Sequence, residues 1–148
     1  MKIAIGCDEA AYELKQSIKQ HLEARGVSIS DFGTHDGKPV PYPDVAFEVA
    51  QRVAEGVYPR AILLCGTGIG MAICANKVPG IRAALCSDPG QTAGARIWNH
   101  ANVLCLSNRT LSDDMAKEIL HAWFDTEPGE RGAAGVALLR ELEARHRR

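Results

Sequence analysis

Apolar positions along this chain switch repeatedly between the twofold rhythm of a buried strand and the three-to-four spacing of a helix. Lys2 to Cys7 is a short apolar run, and Ala11, Leu14, Ile18 and Leu22 follow at helical spacing with Gly26 just beyond as a cap. Val27-Ser28-Ile29 alternates as a strand, and Gly33 to Pro43 is too rich in glycine and proline for regular structure. That segment reads as a loop at the rim of a site. Asp44, Ala46, Val49, Ala50 and Val53 form a second helical stripe ending at Gly56, and Arg60 to Cys65 is a dense apolar strand buried on both faces. Gly68 to Val78 reads as a helix stopped by Pro79-Gly80, Ile81 to Cys86 as a fourth strand, and Pro89 to Trp98 as a helix. Val103 to Ser107 is the fifth strand. Leu111 to Asp125 is an amphipathic helix with Met115, Ile119, Ala122 and Trp123 inward, and Val136 to Arg148 is a last helix.

Strands separated by helices of ten to fifteen residues pair in parallel through right-handed crossovers. The expected fold is therefore α/β: a three-layer, doubly wound, parallel five-stranded sheet in one domain spanning residues 1–148. In such sheets ligands sit at the carboxyl ends of the strands. Those ends are Asp8, Cys65-Gly66-Thr67, Ser87-Asp88 and Asn108-Arg109, far apart in sequence and expected to converge in space.

Composition narrows the function classes. With 17 basic and 18 acidic residues the formal charge is -1, so no global field draws the chain to nucleic acid or an acidic membrane, and an anion site has to be local. The five cysteines, Cys7, Cys65, Cys74, Cys86 and Cys105, are scattered and form no C-x-x-C pair. They read as free thiols in a reducing compartment, with no structural metal. The chain starts directly in a strand pattern, without a leader-like segment or a membrane-length apolar run, which fits a cytoplasmic protein.

The chemistry concentrates at Cys65-Gly66-Thr67-Gly68-Ile69-Gly70, where a buried strand passes into a helix through a turn with three glycines. Such a turn lets several N–H groups face one concavity, an anion nest at a helix N-terminus. The positive end of the helix dipole favours the thiolate of Cys65, a base or nucleophile, and the same donors suit an enediolate oxygen as it forms. Thr67 adds a hydroxyl that can relay a proton. A dinucleotide fingerprint fits poorly, because position 71 is Met and the turn follows the third strand, and no Gly-Lys-Ser/Thr closes a phosphate loop of the Walker type. A purely structural turn around an inert buried cysteine remains the alternative.

These residues, with Ile5-Gly6-Cys7-Asp8, Ala75 to Ala83, Asn102-Val103-Leu104 and Arg109, resemble the ribose-5-phosphate isomerase B family, which also contains the galactose-6-phosphate isomerase subunits. The resemblance runs over nearly the whole chain. It implies a flavodoxin-like, Rossmann-like sandwich acting as a homodimer, or a larger assembly of dimers, with active sites shared between subunits and the helix at about 136–148 packed on the partner. It also implies a sugar-phosphate substrate and no metal or organic cofactor. By the same resemblance Cys65 moves a proton between adjacent carbons through a cis-enediolate, which Thr67 and the N–H groups of Gly66, Gly68, Ile69 and Gly70 stabilise. Asp8 holds substrate hydroxyls, Tyr42 lines the pocket, Asn99 touches substrate, and Arg109 and Arg131 bind phosphate.

Three departures bear on the substrate. The family's Asp-His after the first strand is Asp8-Glu9, and Glu9 would repel phosphate if it pointed inward. The histidine that opens the furanose ring corresponds to Trp98, whose indole has no nitrogen that titrates near neutral pH, and on a continuing helix His100 would face away. The tail motif retains only its first arginine, Arg131, in Arg131-Gly132-Ala133-Ala134-Gly135. A site without the ring opener suits an open-chain substrate, such as a tetrose or tetrulose phosphate, as well as the ribose 5-phosphate type. Two alternatives remain open: a non-catalytic sugar-phosphate-binding protein, and an isomerase of an unphosphorylated or branched sugar stacked on Trp98.

Overall fold

The computed structural model describes residues 1–147. Five strands, β1 (Lys2–Cys7), β2 (Ser28–Gly33), β3 (Ala61–Cys65), β4 (Ala83–Leu85) and β5 (Val103–Ser107), form one parallel sheet in the order β2-β1-β3-β5-β4. Six helices surround it: α1 (Tyr12–Ala24), α2 (Tyr42–Ala54), α3 (Ile69–Asn76), α4 (Pro89–Asn99), α5 (Asp113–Asp125) and α6 (Ala133–Arg145). Short 3-10 turns at Glu9–Ala11 and Glu130–Gly132 precede α1 and α6.

The strand pleat divides the core in two. Ile3, Ile5, Ile62, Leu64, Leu104 and Leu106 face α1 and α5, while Ala4, Leu63, Cys65, Val103 and Cys105 face α2 and α3. The expected three layers and five parallel strands are present. In a flavodoxin the order is 2-1-3-4-5; here the fifth strand lies inside the fourth. The reason is compositional: β5 is buried at all five positions, whereas β4 has three residues, none fully buried, and closes the edge.

Boundaries shift where polar residues sit in regular structure. β2 runs on to Gly33 through Ser30 and Asp31, because an edge strand tolerates polar side chains. α2 starts at Tyr42 with Pro43 in its first turn, where a missing N–H costs nothing, so the irregular loop shortens to residues 34–41. In α5 the buried face is Ala116, Ile119, Leu120 and Trp123, with Met115 and Ala122 only partly covered. α6 begins three residues before the expected Val136; the final Arg148 lies outside the described residues. Among the described residues, no helix is long and apolar enough to cross a membrane.

Candidate active site

Cys65 ends β3 at the carboxyl edge of the sheet, where the chain needs a tight turn before α3 can pack back. Gly68 makes that turn with φ +76°, and a Cβ there would lie 2.5 Å from Leu85 Cδ1 and 3.0 Å from the Leu106 carbonyl carbon. Only glycine satisfies both the left-handed backbone and the close approach. The consequence is chemical: the Gly68 N–H donates to Cys65 Sγ at 3.1 Å. Cys65 belongs to the α2/α3 side of the core, yet it is 6 % exposed and lines a cleft of about 490 Å³.

The rest of that cleft comes from other strand ends. Asp8, Ala10, Tyr42, Gly66, Thr67, Ile69, Gly70, Ile73 and Arg109 line it. Asp8 caps the Glu9–Ala11 turn by accepting from the Ala10 N–H at 3.1 Å; burial, reinforced by neighbouring Glu9, holds its carboxyl above the ordinary aspartate range. Arg109 is exposed, and its main-chain N–H donates to the Gly66 carbonyl at 3.0 Å, while the Asn108 N–H donates to the Cys65 carbonyl at 3.0 Å. The loop after β5 is thereby stapled to the turn after β3, which carries the guanidinium to the cleft mouth. The Tyr42 ring packs directly over Gly70, where an added Cβ would be 2.5 Å from Tyr42 Cε1. Thr67 is exposed, and its Oγ1 accepts from the Ile69 N–H at 3.3 Å.

Eight of the residues singled out from sequence therefore meet in one cleft: Asp8, Tyr42, Cys65, Gly66, Thr67, Ile69, Gly70 and Arg109. Gly68 contributes its N–H from the turn behind them. Glu9 is exposed in the adjoining turn, and its neighbour Ala10 supplies the wall. Trp98, Asn99 and Arg131 lie elsewhere. Trp98, 50 % exposed, and Asn99 line a second cleft with Arg82, Gly135, Leu139 and Arg140. Arg131 stands 6.0 Å over the Trp98 ring, a cation–π distance. His100 is left-handed (φ 48°), and its Nε2 lies 2.7 Å from the Gly129 carbonyl, so it ties down the turn before α6.

Two positioning residues escaped the sequence reading. Ser107 Oγ donates to the Gly66 carbonyl at 3.0 Å and accepts from the Thr110 N–H, which fixes the loop that bears Arg109. Lys15, fully buried in α1, reaches Asp31 at 2.6 Å and the carbonyls of Phe32 and Thr34, clamping the end of β2 and the start of the loop leading to Tyr42. Its position four residues after Ala11 and three before Ile18 in the inward stripe was the available signal.

The other cysteines offer no comparable chemistry. Burial pushes the Cys7 thiol up to about 11 and raises those of Cys74, Cys86 and Cys105.

Comparison with known proteins adds an independent line. The family model for Ribose/Galactose Isomerase matches residues 3–139. The chain is 42 % identical over 148 residues to the ribose-5-P isomerase B of Listeria innocua, covering 99 % of this chain and all of that one. It is 45 % identical over 135 residues to the D-erythrulose-4-phosphate isomerase of Pectobacterium atrosepticum, covering 90 % and 89 %. The solved structure of Clostridium thermocellum ribose-5-phosphate isomerase B superposes with a TM-score of 0.95 at 42 % identity, covering 99 % of this chain and all of that one.

Proposed function

The chain belongs to the ribose/galactose isomerase family and is an aldose–ketose isomerase; we propose that it interconverts a short sugar phosphate through a cis-enediolate with Cys65 as the base. The observation that carries this reading is the Gly68 N–H donating to Cys65 Sγ at 3.1 Å in the wall of an open cleft. The contact holds the sulfur at the cleft wall, where a bound sugar can meet it.

The step balances without an outside reagent. The thiolate of Cys65 takes the proton from C2 of the open-chain aldose, the C–H electron pair becomes the C1=C2 bond, and the carbonyl pair moves onto O1. The enediolate oxygens meet the N–H groups of the Gly66–Gly70 turn. Thr67, at the cleft surface, passes a proton between O1 and O2. Return of the proton from sulfur to C1, with a carbonyl forming at C2, yields the ketose. Asp8 orients the hydroxyls and Arg109 binds the phosphate.

The substrate is a four- or five-carbon sugar phosphate. Relatives of comparable identity carry the names of a ribose-5-phosphate isomerase and an erythrulose-4-phosphate isomerase. The four-carbon reading is favoured by Trp98, which stands where the family resemblance puts a ring-opening histidine, and by His100, whose ring is engaged with the Gly129 carbonyl. A tetrose whose terminal oxygen is phosphorylated cannot close a furanose ring, so it needs no ring opener.

Asn99 and Arg131, outside the Cys65 cleft of their own chain, complete the cleft of a second subunit in a homodimer. The exposed Leu138, Leu139 and Leu142 of α6 provide apolar surface for that pairing.

The test is Cys65→Ala assayed on erythrulose 4-phosphate and ribulose 5-phosphate. We expect unchanged folding and loss of kcat by about 10³-fold or more, the scale of a removed general base. Turnover within tenfold of the parent enzyme contradicts the mechanism.

A further inference from the structure

α1 and α5 lie side by side on one face of the sheet, both running back from the strands' carboxyl ends. Ser17 on α1 donates to Asp113 on α5, and one to two turns further along each helix His21 and His121 meet. Their Nε2 atoms are 3.1 Å apart and the rings stack with centroids at 5.2 Å and an interplanar angle of 26°. His121 is exposed and His21 half-buried, so the space beyond the two nitrogens is open to water. The isomerase chemistry leaves this pair unused.

Two nitrogens this close cannot both direct a hydrogen along the line between them; one proton, or one metal ion, must serve both. A metal–imidazole bond of about 2.0–2.1 Å with adjacent ligands at 90–110° separates the two nitrogens by about 2.9–3.4 Å. The observed spacing falls inside that bite. We propose that His21 and His121 form a surface site for a divalent transition-metal ion, with water filling its remaining positions, which cross-links α1 to α5. Imidazole pairs select borderline ions of the zinc, nickel and copper type over magnesium or calcium. Among the described residues no third His, Cys, Asp or Glu is grouped with them to make a larger ligand set, so the site is bidentate and exchangeable.

Burial, then the neighbouring His121, then Lys117 on α5 and Arg25 at the end of α1 hold the His21 imidazole below the ordinary histidine range. Asp113 opposes them, its carboxylate held low by Ser17 and by Lys117 at 2.9 Å. Only a neutral imidazole binds a metal, so acid competes with the ion for both nitrogens. The pair sits in the ninth or tenth position of each helix, some 12 Å or more beyond the helix ends that adjoin the carboxyl edge of the sheet and the Cys65 cleft.

Titration of the full, tag-free chain with zinc chloride, followed by calorimetry at pH 7.5 and pH 5.5, tests this. The expected result is one saturable site at pH 7.5 that is lost at pH 5.5, weakened about tenfold or more by either His21→Ala or His121→Ala and unaffected by Cys65→Ala. The metal-free isomerase rate of both histidine variants stays at the parent value. Absence of saturable binding up to millimolar zinc overturns the proposal. So does binding that survives both histidine substitutions, or that disappears in Cys65→Ala, because the ion is then held elsewhere.

Discussion

At the scale of single residues, the site depends on which atoms are withheld as much as on which are supplied. Gly68 lacks the Cβ that would strike Leu85 and Leu106, and this alone lets its N–H turn toward the sulfur. Gly70 lacks the Cβ that would strike Tyr42, so the phenol ring closes over the turn. Gly70→Ala is expected to leave folding intact, since the half-exposed ring can swing outward, and to raise KM about tenfold with little change in kcat. The double variant with Tyr42→Ala should be no worse than Tyr42→Ala alone. Steady-state kinetics on the three variants check this; an unchanged KM in Gly70→Ala shows that the ring does not shape the pocket.

At the scale of elements, the buried Lys15 joins α1 to the end of β2. Burial by itself would raise the Asp31 carboxyl, but hydrogen bonds from Lys15 and Lys19 outweigh it and hold the group below its ordinary value. That pairing stabilises the fold above the ordinary aspartate range, near pH 4, and the contribution is lost as pH falls through the lower, folded value. Lys15→Met should cost about 3 kcal/mol at neutral pH, since it removes the donor from two carbonyls and leaves the Asp31 carboxylate with Lys19 alone. Urea denaturation at pH 7 and pH 3 measures it: the gap between parent and variant should narrow in acid. A pH-independent gap would assign the loss to packing alone. Most elements were legible in sequence because apolar periodicity is local: β5 was placed to the residue and the Cys65 turn to the glycine. Lys15 was not, because a charged residue in an apolar stripe is discounted until its partners, sixteen to nineteen residues away, are known. The exchange of β4 and β5 in the sheet was also hidden, since strand order depends on contacts between segments and only the short, half-exposed β4 hints at an edge.

At the scale of the whole molecule, the residues of the expected site divide into two groups that one chain does not bring together. Asp8, Tyr42, Cys65, Thr67 and Arg109 share one cleft, while Asn99 and Arg131 gather around Trp98 in another. The family resemblance names all of them as site residues, but spacing along a chain carries no information on which copy of the molecule a side chain serves. If two subunits complete each other's sites, mixing inactive Cys65→Ala with inactive Arg131→Ala should restore roughly a quarter of parent activity, because half of the dimers are mixed and each holds one intact site. A mixture as inactive as its components would place each site within a single chain. The central claim, that the Cys65 sulfur carries the proton from C2 to C1, is tested most directly by turning over C2-deuterated aldose phosphate in ordinary water and reading the label by mass spectrometry. The parent enzyme should release deuterium to solvent or deliver it to C1, and Cys65→Ala should leave it at C2; deuterium leaving C2 at the parent rate in Cys65→Ala would contradict the account.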